Sequence, residues 1–101
     1  MNTIGVLGGM SWESTALYYN HINTLVKQRL GGLHSAEMVL VSVDFAPVEQ
    51  MQAEGDWDAA GRLLADRAHR AEAAGAEVLI LATNTMHLVA PAVEAAISIP
   101  F

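Results

Sequence analysis

Two stretches, Met38 to Val43 and Val78 to Ala82, are apolar almost without interruption. A strand with one wet face alternates polar and apolar residues, whereas a strand covered on both faces reads as a continuous hydrophobic run. Thr3 to Leu7 is a third piece of this kind, short and β-branched, closed by Gly8-Gly9. Strands buried on both faces belong to parallel sheets, and parallel neighbours need long crossovers, generally helices. The intervening segments supply them. Ser11 fits an N-cap, and Trp12, Ala16, Tyr19, Ile22, Val26 and Leu30 recur at helical spacing. Lys27 and Arg29 favour the end of that helix, and Gly31-Gly32 stops it. Asp44 to Pro47 ends the second strand, with a short helical turn expected over Pro47 to Met51. Asp56 is placed to cap a second long helix, with Trp57, Ala60, Leu64, Ala68 and Ala71 on its inner face and Gly75 at its end. A third helix is expected to begin near Thr85, break, and restart with Pro91 in its first turn. Ile97 to Phe101 reads as a fourth strand just starting. The fold expected is α/β and flavodoxin-like: a parallel sheet of about four strands with helices on both faces. A chain that stops within Ile99-Pro100-Phe101 stops inside an element, so residues 1–101 are expected to be one domain of a larger protein.

The composition narrows the function. The 101 residues suit one small domain, and 52% hydrophobic content is globular rather than disordered. Five Lys and Arg stand against eleven Asp and Glu, a formal charge of −6. That balance argues against nucleic-acid and anionic-membrane partners, both of which need a basic face. There is no cysteine, which excludes disulfides, thiolate metal sites and cysteine nucleophiles within this chain. The N-terminus lacks the basic start and apolar run of a signal peptide, and no apolar run approaches the ~20 residues of a membrane span. The chain reads as a soluble cytoplasmic domain.

In open parallel sheets, ligands bind at the carboxyl ends of the strands. Three turns lie there: Gly8-Gly9-Met10-Ser11, Asp44 to Gln52, and Thr83-Asn84-Thr85-Met86-His87. The first is not G-x-G-x-x-G and lacks the Walker lysine, and Asp44 as a ribose-binding acid is only a strand-end aspartate, so a nucleotide site is poorly supported. In the third, Thr83, Asn84 and Thr85 could form an anion cradle, or Thr83 or Asn84 could simply cap the helix; spacing alone favours capping. The four histidines show no i, i+4 pairing suited to a metal. His87 alone lies near this turn, where it could tune Thr83; a hydrogen-bonded structural role is the simpler one. Trp12 and Trp57 suit core or interdomain packing, and Met10 and Met51 suit gap-filling. All five basic residues, Lys27, Arg29, Arg62, Arg67 and Arg70, fall outside the three turns. A dicarboxylate would therefore be held by helix N-termini and polar donors, with any cationic clamp supplied from elsewhere.

Four segments in order carry a resemblance: Gly8-Gly9-Met10-Ser11-Trp12-Glu13-Ser14-Thr15, Gly31-Gly32-Leu33-His34-Ser35, Ser42-Val43-Asp44-Phe45, and Leu81-Ala82-Thr83-Asn84-Thr85-Met86-His87. Together they resemble the aspartate/glutamate racemase family, nearest its broad-specificity amino-acid racemases, over the whole chain. The resemblance implies two similar α/β domains with the active site between them, this chain being the N-terminal one. It implies an often dimeric, cofactor-independent racemase that uses neither pyridoxal phosphate nor metal and acts on a small amino acid, aspartate or glutamate. One residue from each domain would flank the α-carbon, Thr83 standing here where many members have cysteine. Met10, Gln52, Thr83, Asn84 and Thr85 would line the substrate site. Gln52 has no signal of its own in the sequence.

A thiolate is an accessible base near neutral pH, whereas a threonine hydroxyl is a poor one unless activated. Thr83 therefore suits proton donation better than abstraction. Two other readings stand beside racemisation: a decarboxylase or cis-trans isomerase of the same two-domain architecture, and an inactive carboxylate-binding fragment or remnant.

Overall fold

The computed structural model describes residues 1–83 and 87–101, the His87 side chain excepted. Strands β1 (Ile4–Gly8), β2 (Met38–Ser42) and β3 (Val78–Leu81) form one parallel sheet in the order β2-β1-β3. Ile4 pairs with Met38 on one side and Val78 on the other, and the registers run forward from there. The first strand in the chain is thus the central one. It is joined to β2 through helix α1 (Trp12–Leu30), and β2 to β3 through α2 (Phe45–Ala53) and α3 (Trp57–Ala73). A 3-10 turn at His87–Val89 leads into the short α4 (Ala90–Ala95).

The local chemistry sets the helix limits as anticipated. The Ser11 side chain accepts from the Ser14 amide at the start of α1, and the Gly31 amide donates back to the Lys27 carbonyl at its end. The Asp56 carboxylate accepts from the Ala59 amide at the start of α3, and Gly75, at φ +107°, turns the chain beyond it. Pro91 sits in the first turn of α4, where its missing N–H is an orphan in any case. The second connection is more helical than expected. Asp44 caps it, its Oδ1 accepting from the Ala46 amide at 3.2 Å, so α2 starts at Phe45 and carries Pro47 in its first turn.

The core lies between the sheet and α3. Leu7, Leu79, Ala60, Leu64, Ala68 and Ala71 are fully or almost fully buried, with Val39, Val41 and Leu81 packed against them. Small side chains along α3 let it approach the sheet closely, and the Gly5 position is so near Ala76 that an added Cβ would lie 2.8 Å from the alanine methyl. On the opposite face, α1 covers the end of β1, where Thr15 rests on Gly8.

Three expectations are corrected. The described residues form three strands, not about four: Ile97 to Phe101 makes no strand, although the Leu79 amide donates to the Pro100 carbonyl at 2.9 Å. β2 is not covered on both faces, for Leu40 is 45% exposed. The apolar stripe of α1 divides: Ile22 and Val26 are half-buried, but Trp12, Ala16, Tyr19 and Leu30 are exposed, so Trp12 is not a core residue.

Candidate functional site

Two backbone bonds hold the three strand ends together. The Val43 amide donates to the Gly8 carbonyl at 2.8 Å, and the Ala82 amide to the Leu7 carbonyl at 2.9 Å. The turns that follow therefore leave one edge of the sheet side by side, a strand spacing of about 4.8 Å apart. They bring the Gly8–Ser11 turn, Asp44 and Thr83 to the same edge.

The first turn is held tightly. Gly9 has φ +92°, and an added Cβ would lie 2.3 Å from the Val43 carbonyl oxygen and 2.5 Å from its nitrogen. Only glycine meets both demands. Its buried amide donates to Thr15 Oγ1 at 2.9 Å, and that hydroxyl donates in turn to the Ser11 carbonyl at 3.1 Å. Thr15, 4% exposed, is the one buried polar side chain among the described residues.

Of the residues singled out from the sequence, Met10 lies in this turn and is 4% exposed, inside the core cluster. It fills a gap in the core, so any ligand contact it makes runs through its backbone. Thr83 follows β3 directly and is half-buried, already engaged with a neighbour. Gln52, half-buried and likewise engaged, stands in the last turn of α2, eight residues beyond the Asp44 cap. That is about 12 Å along a helix axis from the sheet edge. Asn84 and Thr85 lie outside the described residues, as does the influence of the His87 side chain on Thr83. Sequence reading missed Thr15. Its signal was a hydroxyl one turn inside a helix, six residues after a glycine pair with no side chains to meet its own.

Electrostatically this edge carries no cation among the described residues. Lys27 and Arg29 end α1, and the three remaining arginines lie along α3, where Arg67 and Arg70 pair with Asp66. Backbone amides and hydroxyls are thus the donors available to an anion at the strand ends. His21, His34 and His69 are exposed on separate segments.

The Asp/Glu/hydantoin racemase family model matches residues 7–101. Over 99% of its length the chain is similar to a Yersinia pestis protein described as a candidate Asp/Glu racemase, with 55% identity and a TM-score of 0.97. Over the same share it is similar to an aspartate racemase homologue from Pyrococcus horikoshii, with 32% identity and a TM-score of 0.81. It covers 44% and 43% of those two chains, less than half of either.

Proposed function

The chain belongs to the Asp/Glu/hydantoin racemase family, and on that premise we propose that it supplies one half of the site of an amino-acid racemase. The substrate is aspartate or glutamate, interconverted between enantiomers by proton transfer at the α-carbon without pyridoxal phosphate or metal. The remaining length that its relatives carry supplies the second half.

One observation carries this reading: Thr83 emerges from β3 immediately after the Ala82–Leu7 bond, beside the glycine turn of β1. A carboxylate held by the amides of that turn would set its α-carbon beside the Thr83 hydroxyl. A base on the opposite face removes the α-proton, leaving a carbanion conjugated with the carboxylate, and Thr83 delivers a proton from its own side. In the reverse direction the roles exchange. Asn84, Thr85, Gln52 and the Met10 backbone complete the near wall. The protein acts in the cytoplasm as a homodimer, with neither nucleic acid nor membrane as partner. The formal charge of −6 supports the exclusion of polyanionic partners, and the apolar side chains that α1 exposes support the dimer; none of the described helices is long and apolar enough to cross a membrane.

The test is wash-in of solvent deuterium at the α-carbon of L- and D-aspartate and glutamate. The full-length gene product should exchange and racemise, and Thr83→Ala should lower the rate by about a hundredfold or more. The 101-residue chain by itself should do neither, since it serves one face only. Unchanged exchange in Thr83→Ala would remove Thr83 from the reaction.

A further inference from the structure

We propose that Thr15 is a positioning residue for the substrate: it fixes the Gly8–Ser11 turn so that the Met10 amide points at the substrate carboxylate. The proposal rests on the racemase reading above and names the residue that makes its carboxylate contact possible.

The geometry is specific. The Thr15 hydroxyl accepts from the Gly9 amide and donates to the Ser11 carbonyl, so it spans the two ends of Gly9-Met10-Ser11 and leaves Met10 between them. Both partners are backbone groups; exchanging the side chain for another packing group of equal volume would not replace these bonds. The Thr15 side chain also lies directly on Gly8, where an added Cβ would come within 2.7 Å of Oγ1 and 2.6 Å of Cγ2. Gly8 leaves room for Thr15, and Gly9 leaves room for the Val43 backbone. The Met10 side chain, anchored in the core, holds the third point. The Met10 amide donates to no described residue, and it lies between the two fixed ends of the turn.

Without the hydroxyl, the buried Gly9 amide loses its acceptor, and the turn must move to find another. The Met10 amide then leaves its position. Thr15→Val keeps the branched volume on Gly8 and removes only the hydrogen bonds; Thr15→Ser keeps the bonds and removes a methyl. In the full-length gene product, Thr15→Val should raise KM for both enantiomers roughly tenfold, the loss expected for one carboxylate hydrogen bond, with kcat changed much less. Thr15→Ser should restore KM to near the wild-type value. Binding of succinate, a dicarboxylate with no α-amino group to turn over, gives a readout independent of catalysis. The Met10 amide resonance should shift on titration, with roughly tenfold weaker binding in Thr15→Val and little change in Thr15→Ser. Racemisation with unaltered KM in Thr15→Val would overturn the positioning role and leave the racemase reading standing. A protein that racemises nothing yet binds succinate through Met10 in a Thr15-dependent way would overturn the reading and keep the role. A Met10 amide indifferent to succinate would overturn the role in either case.

Discussion

The Glu72 carboxylate takes both the amide of Ser98, at 2.8 Å, and its hydroxyl, at 2.5 Å, across 26 residues of chain. This clasp ties the segment after α4 to the end of α3, beside the point where Pro100 meets β3. The Ser98 hydroxyl, then its amide, the Ile99 amide and the charge of His69 hold the carboxyl below its ordinary value of 4.5. A lowered folded value means stabilisation that is complete above 4.5 and is lost as pH falls through the folded value. Urea midpoints of wild type and Glu72→Gln should therefore differ near neutrality and converge on acidification. A gap that widens in acid would show that the clasp is not what the carboxylate contributes.

Gly9→Ala should be among the most damaging single-methyl changes in the chain. Its Cβ would meet Val43 backbone, which cannot rotate away, and its φ is unfavourable to any L side chain. Backbone strain and overpacking together cost about 3 kcal/mol or more. Gly55→Ala, at the end of α2, shares the positive φ but meets nothing within 4 Å, so it should cost only about 1 kcal/mol. Equal thermal shifts in the two variants would show that the contact with Val43 is unimportant.

Much of this architecture was legible because its signals are local. Ser11, Asp56, Gly75 and Pro91 act through their own backbone geometry, and each marks a helix limit where expected. The continuous runs identified the strands for the same reason. Legibility failed where the answer depends on a neighbour. Periodicity says that Trp12, Ala16, Tyr19 and Leu30 share a side of α1, but not that nothing packs there. Pro47 reads as the start of a helical turn, yet Asp44 caps the helix earlier and proline is tolerated within the first turn. At the site, the glycine turn and the strand-end Thr83 were visible as a pattern. Thr15 was not, because a hydroxyl inside a helix acquires its task only when β1 and β2 bring Gly9 against Val43.

The exposed side of α1 has a consequence in solution. Trp12 is 70% exposed and Tyr19 54%, on a side that also carries Ala16 and Leu30. The 101-residue chain should self-associate through it. In a twofold dimer a substitution acts twice, so Tyr19→Glu, at about 1.5 kcal/mol per buried side chain, should weaken association roughly a hundredfold. Sedimentation equilibrium decides this: a wild-type chain that stays monomeric across a wide concentration range would contradict it.

The proposed arrangement, a threonine facing a different residue across the α-carbon, invites the idea of an enzyme that runs in one direction. Thermodynamics forbids it. The enantiomers of a free amino acid have equal free energies, so the equilibrium constant is one and the two kcat/KM values must be equal. Both directions climb to the same highest transition state from equivalent starting points. In the proposed reaction, weak basicity at Thr83 would raise that shared barrier without favouring a direction, and asymmetry would survive only in kcat and KM taken separately, through unequal binding of the enantiomers. The full-length gene product should therefore show matched, low kcat/KM for both enantiomers. Thr83→Cys, which puts an accessible thiolate at the end of β3, should raise both together. Progress curves begun from each pure enantiomer should meet at the racemic mixture. A lasting plateau away from it, with active enzyme still present, would mean that the reaction at this strand end is not simple racemisation.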